Sequence, residues 1–102
     1  MKKEQTTEYS TLSFNLPFDE AIKDLRSIHN RKMIKNSHNY FVLYALFRGE
    51  VLDDYVNRPV TDEGVVIHNL KSRISDLANK FTLNIEKDFA EGKAYMKYWM
   101  AR

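Results

Sequence analysis

The stretch His68-Asn-Leu-Lys-Ser-Arg-Ile-Ser-Asp-Leu-Ala-Asn-Lys-Phe81 decides how the rest of the chain is read. Leu70, Ile74, Leu77, Ala78 and Phe81 recur at helical spacing and make one apolar face. Lys71, Ser72, Arg73, Ser75, Asn79 and Lys80 fall outside that face, and every one of them carries a hydrogen-bond donor. The spacing predicts a helix over about residues 69–80, with an inner side packed on a core and an outer side left to meet a partner.

Residues 82–100 follow as two alternating segments around Glu91-Gly92, the pattern of a β-hairpin. A two- or four-residue connection centred there pairs Leu83 with Met100, Ile85 with Tyr98, Lys87 with Met96 and Phe89 with Ala94 on one face. The other face then carries Asn84 with Trp99, Glu86 with Lys97 and Asp88 with Tyr95. In this register Leu83, Ile85, Phe89, Tyr98 and Met100 cover a core, and Glu86 opposite Lys97 forms a cross-strand charge pair outside. A slip of one residue would turn Trp99 and Tyr95 inward instead, and the charge pair favours the first register.

Upstream, residues 1–8 are polar without periodicity and are expected to be a loose end, leaving 9–102 as one domain. Leu12, Phe14 and Leu16 alternate with Thr11, Ser13 and Asn15, which predicts a short strand ended by Pro17. A first helix is expected over residues 17–33, with Phe18, Ala21, Ile22, Leu25 and Ile28 as its buried stripe and Asp19 and Glu20 against its positive end. Arg31, Lys32 and Lys35 at its far end suit helix capping and solubility, or else contact with phosphate or an acidic partner. A second helix starts at Asn36 or Ser37, runs to Arg48 and stops at Gly49, and its apolar residues on nearly all sides mark it as the central core helix. Val51, Leu52, Tyr55 and Val56 suggest a short third helix ended by Pro59, and residues 61–64 a turn. Residues 65–67 are either a small strand or the first turn of the helix that follows, with Asn69 as an N-cap favouring the strand.

Charge and composition exclude more than they assign. The net charge of +2 is weak, but it is unevenly spread. Residues 19–35 hold five basic against three acidic side chains, 48–64 two against five, and 65–102 seven against four. No cysteine is present, which removes disulfides, thiolate metal sites and a cysteine nucleophile. His29, His38 and His68 have no paired ligand spacing, and the three glycines each have a cap or turn explanation, so neither a metal, a cofactor nor a phosphate-cradling loop is expected. The longest apolar run, residues 40–47, is too short to span a bilayer, and no signal peptide is recognisable, so the expected location is the cytoplasm. These features also argue against an enzyme.

The runs Val42-Leu-Tyr-Ala-Leu-Phe-Arg-Gly49, Leu70-Lys-Ser-Arg-Ile-Ser-Asp-Leu77 and Leu83-Asn-Ile85, with a hairpin ending Tyr95-Met-Lys-Tyr-Trp99, resemble the small helix-turn-helix domains of phages and prophages. The resemblance covers about residues 40–100. It departs from the family at residues 49–69, which are longer than the usual turn, and at Ala78-Asn-Lys-Phe81, which replaces a basic residue and glycine. The resemblance and the order of elements imply an α+β winged helix-turn-helix, with three to four helices, a C-terminal hairpin wing and an added N-terminal strand and helix. The expected partner is duplex DNA, in transcription or another DNA transaction, in the host cytoplasm if the chain is phage-encoded. Lys71, Ser72 and Ser75 are the candidates for base edges. Lys80, Lys93 and Lys97 are candidates for phosphates. Arg73 either touches DNA or braces Asp76 or the acidic middle segment. Tyr95, Tyr98 and Trp99 pack or stack. The alternative is a protein-binding module of the same fold that occupies or inhibits a host enzyme or assembly; a homodimer suits either reading.

Overall fold

The computed structural model describes residues 9, 10, 12–92 and 95–101. Among these, three α-helices and a two-stranded antiparallel sheet make an α+β arrangement. The expected loose end at residues 1–8 lies outside the described residues, and among the described residues no helix is long and apolar enough to cross a membrane.

The central helix, α2 (His38–Phe47), forms as its sequence demands. Ser37 accepts the Tyr40 N–H at 3.2 Å as N-cap, and Gly49 takes the left-handed φ of 89° that ends the helix without a Cβ penalty. Val42, Leu43 and Leu46 are fully buried and join Leu52, Ile67, Leu70 and Leu77 in one cluster. α3 (Leu70–Ser75) packs on α2 and continues without a break into a π-helical turn, Asp76–Lys80. Its inward stripe is the expected one: Leu70, Ile74, Leu77 and Phe81 are buried.

The N-terminal third departs from its periodicity. No strand forms around Leu12, Phe14 and Leu16; Leu12 is buried, but the chain turns at residues 14–16, where the Leu16 N–H bonds the Ser13 carbonyl. The first helix, α1 (Phe18–Ala21), is only four residues long instead of reaching Met33. The reason is local hydrogen bonding. Ser27 Oγ accepts the N–H groups of His29 and Arg31, Asn30 adopts a left-handed φ of 60°, and Arg26 bridges back to Lys32 in antiparallel fashion. Ile28, expected in the core, is therefore 63% exposed, and Arg31, Lys32 and Lys35 do not sit at a helix end. Aromatic packing holds this segment instead. Phe18 lies 5.1 Å from the Tyr40 ring and 5.2 Å from Phe47, and Tyr40 Oη donates to Asp19 Oδ1 at 2.6 Å. Burial, and then the Asp19 carboxylate, push the Tyr40 phenol up to about 12.

The expected third helix at residues 51–57 is absent too. Asp53 takes its place as organiser: it is 7% exposed, and its Oδ1 accepts the N–H groups of Tyr55, Val56 and Asn57. A carboxylate bonded to three consecutive amides folds them around itself, which competes with a helix. The residue before it, Leu52, pairs with Tyr98 through two hydrogen bonds of 2.8 Å, so it lies alongside the ribbon. Downstream, residues 61–64 turn as expected, and Val66 makes a single bridge to Val60 rather than a strand. Asn69 precedes α3 in a left-handed conformation, φ 58°, and makes no side-chain cap.

The ribbon consists of β1 (Ile85–Phe89) and β2 (Met96–Met100). Its register differs from the expected one by two residues: Ile85 faces Met100, Lys87 faces Tyr98 and Phe89 faces Met96. A shift of two leaves the faces unchanged. Tyr98 and Met100 are buried as expected, whereas Phe89, at the far tip, is 62% exposed. Glu86 meets Trp99 instead of Lys97 and accepts its Nε1–H at 2.8 Å, while Lys97 faces Asp88.

Asp53 yields a test. Burial alone would raise its pKa, but the three backbone amides and then Arg58 outweigh it and hold the carboxyl below 3.8. The contribution is complete above the unfolded value and is lost as pH falls through the depressed folded one. Asp53→Ala is expected to cost about 2 kcal/mol in urea unfolding at neutral pH. Asp53→Asn costs less, and its stability falls less steeply below pH ~4 than that of the wild type.

Candidate functional site

The outward side of α3 is the surface the fold leaves open. Because Leu70, Ile74 and Leu77 face the core, helical geometry turns Lys71, Ser72 and Ser75 away from it, and all three are exposed. Ser75 Oγ accepts from Asn79 Nδ2 at 3.0 Å, so the amide lies along the same side one turn later. Among the described residues the leading segment is hydrogen-bonded to the helix end, where Ile28 N–H donates to the Lys80 carbonyl at 2.6 Å and Ser10 Oγ to the Phe81 carbonyl at 2.7 Å.

The remaining candidates divide. Arg73 is half-buried and its Nη2 lies 3.6 Å from Asp76 Oδ2, while Lys80 Nζ lies 3.5 Å from Asp76 Oδ1. Asp76 is thus shared by two cations at i,i+3 and i,i+4 spacing, and the group keeps one net positive charge. Of the alternatives for Arg73, the structure shows it bracing Asp76. The Lys80 pairing was legible in the spacing from Asp76 but was not part of the sequence expectation. Lys97 sits half-buried on the ribbon face opposite Tyr98 and Met100, away from the α3 row in sequence and element. Lys93 lies outside the described residues.

Two cations not expected here join Lys80. Arg31 and Lys32, both exposed, line one cleft with it at the end of α3. The 17–33 helix expectation hid them by placing them on a different element; the Ser27 and Asn30 turn chemistry was the available signal. Among the described residues no three His, Asp or Glu side chains come together as a metal-holding group. Tyr95, expected to pack or stack, lies 4.6 Å from the Tyr55 ring, and Tyr98 is buried against the core with its phenol raised by burial and then by Asp54. No protein-family model, curated protein or solved structure matches the chain.

The Asp76 group is partly solvated, and pairs of this kind contribute a few tenths of a kcal/mol each. Asp76→Asn is expected to lower the unfolding free energy by less than ~1 kcal/mol in urea titration. A loss above ~2 kcal/mol would mean that Arg73 and Lys80 are held as structural braces and are not available to a ligand.

Proposed function

We propose that this chain is a small winged-helix DNA-binding protein of phage-like type, which sets α3 in the major groove of duplex DNA in transcription or another DNA transaction. The observation that carries the reading is the exposed row Lys71, Ser72 and Ser75, which lies opposite a buried apolar stripe. A helix of this kind is held rigidly from behind while its polar side chains reach base edges. Lys80 supplies a phosphate contact beside it, since the weak pair with Asp76 is exchanged at little cost for a phosphate. The ribbon that follows directly is the wing.

A second reading, a protein-binding module of the same fold, is favoured by one feature. Val56 is 80% and Tyr55 65% exposed on the Asp53 loop, where the Tyr55 ring lies against Tyr95. That surface is separate from the α3 row, so a substitution can separate the two readings.

Electrophoretic titration on duplex DNA tests the first. Affinity is expected to fall steeply with salt, with a log–log slope of about −0.9 per phosphate contact. Lys71→Ala with Ser75→Ala is expected to weaken binding about tenfold or more. Asp76→Asn is expected to strengthen it, and Val56→Ser to leave it unchanged. Absence of any retarded complex near ~50 mM salt would overturn the DNA reading and leave the second.

A further inference from the structure

We propose that the cleft between the 27–34 loop and the end of α3 is a phosphate-binding site. Its walls come from segments far apart in sequence. The 2.6 Å hydrogen bond from Ile28 N–H to the Lys80 carbonyl pins the loop against the helix end, so that Arg31 and Lys32 share one opening with Lys80. The loop is itself braced, by the two amides bonded to Ser27 Oγ and by the Ser27 N–H to Arg31 carbonyl bond of 2.9 Å. The cations are therefore presented by a tied turn.

The charge in this cleft is sorted. Among the described residues no carboxylate lines it, although the whole chain is only two charges from neutrality. Two other clefts differ: one carries Glu20 and Asp24 with Arg26, and another Asp19 and Asp62 with no cation. Among the described residues Arg31 and Lys32 make no ion pair, and Lys80, with its side chain 57% exposed, has only the loose contact with Asp76. Met33, Ile34 and Phe81 form an apolar side, which lowers the local dielectric and strengthens attraction to an anion. His29, the N-cap Ser37 and Asn39 in the first turn of α2 also line the cleft, at a helix end that carries partial positive charge. Asn39 Oδ1 is buried there and accepts no hydrogen bond.

At about 270 Å³ the cleft lies at or below the lower end of clefts that hold drug-sized molecules, and it suits a small anion. Arginine with lysines is the donor set that phosphate recognition uses. Two sources present that chemistry: a backbone phosphate of duplex DNA lying along α3, or free phosphate and phosphate monoesters. Only the first source rests on the DNA reading.

The full chain, labelled with nitrogen-15, is titrated with inorganic phosphate against chloride at matched ionic strength. The same titration is run on Arg31→Ala/Lys32→Ala and on Lys23→Ala/Lys87→Ala, a control of equal charge outside the cleft. Saturable amide shifts are expected at residues 27–39 and at Lys80 and Phe81, retained in the control and abolished in the Arg31/Lys32 variant. In parallel, the Arg31/Lys32 variant is titrated on duplex DNA. A log–log salt slope reduced by about one, the loss of a single phosphate contact, identifies the DNA backbone as source. Cleft shifts without DNA binding, or with an unchanged slope, support the cleft with a free phosphate as its ligand; absent binding removes the DNA reading alone. If no saturable shifts occur at the cleft, or they survive in the Arg31/Lys32 variant, the proposal is overturned whatever the DNA titration shows, because removing two positive charges weakens DNA binding by itself.

Discussion

A helix that ends inside a protein must find donors for its last carbonyls, and in this chain the donors come from the opposite end of the sequence. The Lys80 carbonyl accepts from Ile28, the Phe81 carbonyl from Ser10 Oγ, and the Thr82 carbonyl from the Ser10 N–H at 2.8 Å. The Leu83 N–H returns to the Leu77 carbonyl at 3.2 Å, which turns the chain off the helix and into the ribbon. One set of backbone hydrogen bonds therefore fixes the end of α3, the start of the hairpin and the seat of the N-terminal segment. Thr82 adopts a left-handed φ of 51° at this corner, an uncommon conformation for a β-branched residue, and the surrounding bonds hold it there.

The ribbon is anchored by a second constraint of the same kind. An isolated two-stranded ribbon is marginal in water. Here β2 bonds β1 on one side and Leu52 on the other, and Leu52 is fully buried. Leu52 can occupy that edge only because Asp53 immediately gathers the next amides and turns the chain away. The exposed edge belongs to β1, whose sequence Ile-Glu-Lys-Asp-Phe carries charges on three successive residues, a composition that discourages edge pairing.

What was legible in the sequence followed from how strongly neighbouring residues constrain one another. α2 was readable from a continuous apolar run and the stripe of α3 from its periodicity, and Ser37 and Gly49 mark the limits of α2 by their own backbone chemistry. The faces of the ribbon were readable for a similar reason: alternation fixes parity. Alternation does not fix the length of the connection, so the register moved by two while Tyr98 and Met100 stayed inside. The N-terminal helix and the 51–57 helix were misread where short apolar periodicity met a side chain that bonds the backbone locally. Ser27 and Asp53 each outbid one or two helical turns, and each did so with hydrogen bonds that periodicity does not record. The same misreading concealed the candidate cleft, since Arg31 and Lys32 reach Lys80 only because no helix forms through residue 33. The exposed row on α3 was legible, because it needs only the position of the stripe behind it.

Net charge understates what this surface can attract, because several of the carboxylates are engaged. Asp53 is buried in a ring of amides, Asp19 accepts from Tyr40 and lies 3.8 Å from Lys35, and Glu50 pairs with Arg48. Asp76 is held between Arg73 and Lys80. Arg31 and Lys32, which make no ion pair among the described residues, sit where the loop at residues 27–34 meets the helix end that carries Lys80. Solvent-exposed pairs are weak and screened by salt, whereas several cations converging on one oxyanion add their attractions. Lys80 therefore gains by exchanging Asp76 for a phosphate that Arg31 and Lys32 also hold. The segment that caps the helix carbonyls is thereby also the segment that gives the helix end its charge, so the stability of that corner and its capacity to bind an anion depend on the same hydrogen bond from Ile28.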